Sequence, residues 1–244
     1  MAARATAPAR PAWTGTGKDR FWLGARSAWP VVIGYLPIGF ALGVLAAGAG
    51  LTAAEIGAMS LLVYAGASQF IAVGMLAAEA GLAAIAMTTF LVNLRHLLMS
   101  AALSPYFQGV RRPVLAALSF FMTDEAFGVS SAVFAERGQG DASYFAGLSI
   151  IPYIAWFAAT VAGAVVGSAV TLPAALGLDF ALTGMFIGLL AGSLRTRPAV
   201  LAAALGGLVA VAAGPVLGRW STMVAAVVAA AAGVAAARWM RKFS

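Results

Sequence analysis

The stretch TTFLVNLRHLLMS, residues 88–100, decides the fold class, because it sets Asn93, Arg95 and the chain's single histidine, His96, inside an otherwise apolar run. On a helix of 3.6 residues per turn, Thr89, Asn93, His96 and Ser100 fall at i, i+4, i+7 and i+11 and make one polar stripe. Arg95 lies about 100° to the side of His96. A charged side chain at the centre of a membrane helix costs roughly 2.5–3.5 kcal/mol on insertion scales, so this face has to turn from lipid toward partners or a hydrated interior. Asp124 and Glu125, in SFFMTDEAFG (119–128), and Asp179, in GLDFAL (177–182), are acids placed to meet it.

Working outward, the surrounding chain reads as membrane throughout. Of 244 residues 62% are hydrophobic and 9% charged, and apolar segments recur near 28–49, 56–78, 82–104, 114–134, 142–169, 172–194, 198–214 and 220–237. Segments of that length cross a bilayer as helices. The expected fold is therefore all-α: a polytopic membrane helix bundle of about eight transmembrane segments over residues 28–239. Residues 1–27 hold five basic residues and no apolar core of their own, and read as a disordered basic cytoplasmic tail. With that tail inside, eleven basic residues of tails and loops fall on the inner side and three, Arg111, Arg112 and Arg219, on the outer, so both termini are expected in the cytoplasm. A re-entrant 56–78 segment would move the Arg111–Arg112 pair inside.

Small residues dominate the packing faces. The chain has 28 glycines, with four-residue spacing at Gly184, Gly188 and Gly192, at Gly39 and Gly43, and at Gly163 and Gly167. Lipid tails give helices no hydrophobic reason to associate, so such faces act by letting backbones approach and gain dispersion contacts. Pro37, Pro152 and the stretch YAGAS (64–68) point to broken helices. Two groups of three segments, 28–104 and 114–194, would face opposite ways and suggest inverted repeats, with YAGASQF (64–70) aligned on YFAGLSI (144–150).

Each polar residue has a functional and a plain structural reading. Arg95 either locks two helices through Asp124 or Glu125 or handles substrate and protons; His96 is either a neutral imidazole on a backbone carbonyl or a relay. Neighbouring acids diverge by about 100° on a helix, so one of Asp124 and Glu125 is the pair partner and the other is free to titrate. Asp179 either caps a helix starting at 180 or joins the coupling site. At GASQ (66–69), an interruption at Gly66 would offer backbone groups with Ser68 and Gln69 to a zwitterion, while the plain reading is a close helix crossing.

Several function classes drop out. There is no cysteine, one histidine and no clustered ligand set, so no metal or cofactor is expected. The one GK dipeptide, in WTGTGKDR (13–20), lacks the phosphate-loop spacing, and the basic residues form no stripe for nucleic acid. A secondary transporter fits best. The alternative is an intramembrane serine protease using Ser68 and His96, because Gly66-Ala67-Ser68 resembles a rhomboid nucleophile stretch.

The motifs LPIGFALG (36–43), YAGASQF, TTFLVNLRHLLMSAALSPY (88–106), TDEAF (123–127) and LDFALTGMFIGLL (178–190) together resemble the AzlC/YgaZ family, the large subunit of branched-chain amino-acid exporters, from about residue 28 to 237. That resemblance implies export of valine, leucine and isoleucine, with methionine as a fourth candidate, from the bacterial plasma membrane in complex with a small membrane subunit of the AzlD/YgaH type. On that reading the substrate's charged ends meet the 64–70 segment, Asn93, His96 and an acid. Its side chain rests among Phe40, Phe70, Phe90 and Phe127, and protons are coupled through Asp124 or Glu125.

Overall fold

Backbone polar groups in lipid have no water to bond, so apolar runs of this kind satisfy them internally as helices. The computed structural model describes residues 13–169, 187, 190, 191, 194, 197–217 and 221–242, and among these every regular element is helical. The first unit holds α1 (Gly17–Ser27), α2 (Trp29–Gly48), α3 (Ala53–Leu62), α4 (Gly66–Ala77), α5 (Leu82–Leu103) with a 3₁₀ turn (Ser104–Phe107), α6 (Arg112–Phe120), α7 (Asp124–Arg137) and α8 (Ala142–Ala169). The second unit holds α9 (Arg197–Leu217) and α10 (Ser221–Lys242). Among the described residues four stretches are long and apolar enough to cross a bilayer: α2, Leu82–Phe107, α8 and α9.

Glycine spacing builds the spine of the first unit. A Cβ on Gly43 would collide with the carbonyl of Thr160, one on Gly163 with the carbonyl of Phe40, and one on Gly39 would stand 3.0 Å from the Ala159 Cβ. Gly24 meets Tyr144 and Leu148 in the same way, and Gly147 meets Phe21 and Ala25. Residue numbers rise together on both sides, so α1 and α2 run parallel to α8 at backbone contact. The gain is dispersion between closely approaching chains.

Residues 17–27, expected in the disordered tail, instead form α1. Thr16 and Asp19 make a capping box: the Thr16 amide donates to Asp19 Oδ2 at 2.8 Å and the Asp19 amide to Thr16 Oγ1 at 3.3 Å. Those bonds from the Thr16 backbone and hydroxyl hold the Asp19 carboxyl below its ordinary range. Arg20 pairs with Asp141 at 3.0 Å, and Trp13 donates its indole N–H to the Gln139 carbonyl with the Arg137 guanidinium stacked over its ring.

The expected breaks fall elsewhere than at the prolines. Both α2 and α8 continue unbroken through Pro37 and Pro152, which membrane helices tolerate. The interruptions lie at 63–65, between α3 and α4, and at 121–123, between α6 and α7. At 1.5 Å per residue α3, α4, α6 and α7 are ~15, ~18, ~14 and ~21 Å long, each too short for a hydrocarbon core of ~30 Å.

Contacts show that both interrupted elements double back. Gly140 donates its amide to the Tyr106 carbonyl at 2.9 Å, and Phe107 packs on Phe134 and Phe145. The end of α5 therefore lies where α8 begins, and α5 is antiparallel to α2 and α8. Since α2 ends where α5 starts, α3 and α4 must enter from that end and return to it; Gln69 on α4 accordingly bonds Ser60 on α3 at 3.2 Å across the break. By the same logic α6 and α7 enter and leave from the opposite end. The segments 56–78 and 114–134, expected as spans, are thus two re-entrant hairpins that approach from opposite ends, and the Arg111–Arg112 pair moves to the end holding Lys18, Arg20 and Arg137.

The proposed repeat alignment also fails locally. Tyr64 and Ala65 of YAGASQF stand in the break, whereas YFAGLSI lies wholly inside α8. Gly184, Gly188, Gly192 and Asp179 lie outside the described residues. In the second unit Gly206 meets the Ala229 Cβ and Gly233 the Ala202 Cβ, both at 3.1 Å, so α9 and α10 pack antiparallel on small residues.

Candidate functional site at the hairpin tips

The polar stripe of α5 is the half-buried face of that helix. Thr89, Asn93, His96 and Ser100 are half-buried, while Met87, Phe90, Leu94, Leu97 and Leu98 on the other side are exposed, as lipid-facing positions should be. Arg95 at the edge of the stripe reaches the tip of the α6–α7 hairpin, where its Nη2 lies 3.0 Å from Asp124 Oδ2. His96 stands within electrostatic reach of both Arg95 and Glu125.

Local sequence explains the acid tip. Thr123 is in extended backbone and its hydroxyl accepts the Ala126 amide at 3.2 Å, so α7 starts with an ordinary threonine cap. Asp124 and Glu125 then occupy the first turn, where the helix dipole favours negative charge. As helical geometry requires, they diverge. Asp124 faces α5 and Arg95, and Glu125 faces α2, where the buried Tyr35 hydroxyl donates to its Oε2 at 2.6 Å. Among the described residues Glu125 has no cationic partner.

The other tip carries no charge. Ala65 precedes α4 without a side-chain cap, leaving the first amides of α4 pointing from an uncapped helix start. Aromatic rings join the two tips: Tyr64 packs edge-on against Tyr35 (6.4 Å between centroids) and Tyr153 (5.0 Å), and Tyr153 touches Phe121 (5.2 Å) and Phe120 (6.0 Å) of the second hairpin. Tyr35 also packs on Trp156 at 5.0 Å.

Behind the α3–α4 tip a closed hydrogen-bond set holds the hairpin to α8. The Trp156 indole donates to Gln69 Oε1 at 2.8 Å, the Gln69 amide donates to Ser60 Oγ, Ser60 and Thr160 share a bond of 2.8 Å, and the Tyr153 hydroxyl donates to the Leu61 carbonyl at 2.9 Å. Each member that is buried is satisfied, which is the condition for a polar network at this depth to stabilise rather than to cost. A Cβ on Gly66 would stand 2.9 Å from the Trp156 ring, so glycine permits this seat.

Two buried polar atoms make no hydrogen bond of ordinary geometry: the Tyr64 hydroxyl, beside Tyr35 at the α3–α4 tip, and Asn93 Oδ1 on the stripe of α5. Leaving such a group unpaired costs about 1–3 kcal/mol, and native structures keep few of them outside sites that take a ligand or water.

The sequence candidates therefore sort into distinct places. Arg95, His96, Asp124 and Glu125 come together, and Asn93 lies one turn from His96 on the same stripe of α5. Gly66, Ser68, Gln69 and Phe70 lie in or just behind the other tip, but Gln69 is bound within the network and the Ser68 hydroxyl donates to the Ala65 carbonyl at 2.9 Å. No hydrogen bond joins Ser68 to His96 among the described residues. The phenylalanine set does not form one pocket: Phe70 is fully buried, Phe40 and Phe127 half-buried, and Phe90 is 61% exposed. Sequence reasoning missed Tyr35, Tyr64 and Tyr153, whose roles depend on partners some 90 residues away. It also missed Thr123, although threonine followed by two acids is a helix-start signal.

A family model described as AzlC protein matches residues 30–170, the stretch from α2 to α8 that builds both tips. The inner membrane protein YgaZ of Escherichia coli (strain K12) is 32% identical over 204 residues, covering 80% of this chain and 82% of that protein. The branched-chain amino acid transport protein AzlC of Bacillus subtilis (strain 168) is 29% identical over 176 residues, covering 70% and 68%. An uncharacterised membrane protein of Archaeoglobus fulgidus is 35% identical over 211 residues, covering 79% and 91%. No solved structure matches. The chain belongs to the AzlC family.

Proposed function

We propose that this chain is the large subunit of a secondary transporter that exports branched-chain amino acids across the bacterial plasma membrane, coupled to protons, together with a small membrane subunit of the AzlD/YgaH type. The observation that carries the reading is the meeting of two opposed hairpin tips, one bearing Glu125, which has no cationic partner among the described residues, and the other an uncapped helix start. Half-helices that end at the midplane are the usual way a transporter offers backbone groups to a charged solute.

On this reading the amino acid's carboxylate docks at the first amides of α4 beside the Tyr64 hydroxyl, and its ammonium meets Asn93 Oδ1 and the acidic tip. Glu125 takes up a proton when the site faces the far side and releases it on return, with Tyr35 fixing the carboxylate. Arg95 and Asp124 hold the α6–α7 tip against α5 so that the hairpins move as bodies. Among the described residues of the first unit, every lysine and arginine except Arg95 lies at the end holding α1 and the α6–α7 hairpin, while Glu55 and Glu79 lie at the other; the basic end is the cytoplasmic one.

The test is counterflow of labelled valine, leucine and isoleucine in proteoliposomes, with and without the small subunit. Saturable exchange that is competed by these three and not by glutamate is expected. Absence of exchange under both conditions, or flux that does not saturate, would overturn the assignment.

A further inference from the structure

Below the α6–α7 tip, on the side of the basic end, lies a cleft of about 230 Å³ between the second half of α5 and α6. Its walls are Leu103 and Phe107 from α5 and its 3₁₀ turn, Leu115 and Leu118 from α6, Phe145 from α8, and Met122 from the tip itself. We propose that this cleft is the selectivity pocket that receives the branched aliphatic side chain of the transported amino acid on the basic side of the site. The inference rests on the proposed transport function and names the part of the site that distinguishes one amino acid from another.

Four features favour this occupant. The volume is below the roughly 300–1,000 Å³ of pockets that enclose drug-sized ligands, and so suits one small solute. The lining is apolar apart from serine hydroxyls at 100, 104 and 119, and Ser104 and Ser119 turn theirs back onto the carbonyls of Ala101 and Ala116, which leaves the wall greasy. Position matters as well. Met122 is followed directly by Thr123 and Asp124, so the apolar end of the cleft abuts the charged tip in the order an amino acid presents its side chain and its ammonium. Finally, Ser100 is shared between the cleft and the stripe that carries Asn93 and His96, which makes pocket and stripe continuous along α5.

The chain contains no cysteine, so a single introduced thiol reports on one place. Ser119→Cys and Ser104→Cys, each nearly isosteric and at an exposed position, place a thiol at the rim, and Ser168→Cys on α8 serves as a thiol outside the cleft. In proteoliposomes carrying the full chain and the small subunit, maleimide alkylation of the Ser119→Cys variant is expected to slow at least fivefold with saturating leucine, valine or isoleucine. Glutamate should have no effect, and the alkylation rate of the Ser168→Cys variant should not change. Each methylene enclosed is worth about fourfold in affinity, so alanine should need a concentration tens of times higher than leucine to protect. Leu118→Ala, which deepens the pocket, should move preference from valine toward phenylalanine in counterflow. If Ser119→Cys does not fold, Ser104→Cys gives the same reading. Alkylation rates indifferent to leucine in a protein that still exchanges leucine would overturn the pocket and mark the cleft as one filled by lipid, leaving the transport function standing. Loss of exchange already in the unmodified chain would instead overturn the transport function and the pocket with it.

Discussion

Arg95 and Asp124 offer the most quantitative prediction, because removing one member strands the other. At a separation of 3.0 Å two unit charges attract by about 5.5 kcal/mol at an effective dielectric of ~20, before the cost of desolvating both. Stripping the partner from a fully buried pair costs about 3–5 kcal/mol. Here both side chains keep about a third of their surface accessible, so a discounted loss of ~2–3 kcal/mol is expected for Arg95→Met or Asp124→Leu alone. For a chain of this size that corresponds to a fall of roughly 5–10 °C in midpoint. The double variant Arg95→Met/Asp124→Leu strands nothing and should lose less than either single. The assay is thermal unfolding of all four proteins in one detergent, followed by tryptophan fluorescence and by recovery of monodisperse protein after heating. Strictly additive losses, or singles as stable as the parent, would refute the claim that this pair locks the hairpin. Arg95→Lys should recover part of the stability, since it keeps the charge but loses the planar fork.

Other variants test separate parts of the account. Tyr35→Phe deletes a hydrogen bond to a charged group, worth about 1.5–3 kcal/mol, and should reduce flux driven by a pH gradient while sparing counterflow. Gly43→Leu drives a side chain into the Thr160 backbone and should abolish stable protein in a detergent-stability assay, whereas Gly34→Leu, with nothing within 4 Å of the added Cβ, should express normally. Asp19, whose carboxyl titrates below the ordinary value of 3.8, contributes its cap above that pH and loses it as pH falls through the lower folded value. Amide exchange in α1 should therefore rise on acidification below about pH 4, and Asp19→Ala should show the same fraying at neutral pH.

Much of this arrangement is legible in the sequence where a period or a scarcity does the work. The stripe of α5 follows from 3.6-residue spacing, and the scarcity of acids at depth narrows the partner of Arg95 to Asp124 or Glu125, between which only the structure chooses. Gly39, Gly43 and Gly163 mark a close helix crossing by spacing alone, although nothing in them says that α2 and α8 run parallel. The break at 63–65 announces itself through a tyrosine and the small residues beside it. The break at 121–123 hides in Phe120, Phe121 and Met122, which hydropathy counts as core, and only Thr123 with its two acids signals a new helix. Re-entrance is invisible to hydropathy because two half-helices of about ten residues carry the same apolar content as one span of about twenty. Direction had to come from Gly140 on Tyr106 and Phe107 on Phe145, contacts between segments far apart in the chain. The capping box at Thr16 and Asp19 was present in the sequence as T-x-x-D, but the surrounding basic residues favoured a tail.

If Glu125, which has no cationic partner among the described residues, couples substrate movement to protons, its neutral variant separates coupling from exchange. Valine flux into and out of proteoliposomes is compared for the parent chain and Glu125→Gln, once under an imposed pH gradient and once as counterflow at equal pH. Glu125→Gln is expected to retain saturable counterflow and to lose gradient-driven accumulation. Accumulation under the gradient equal to that of the parent would contradict it.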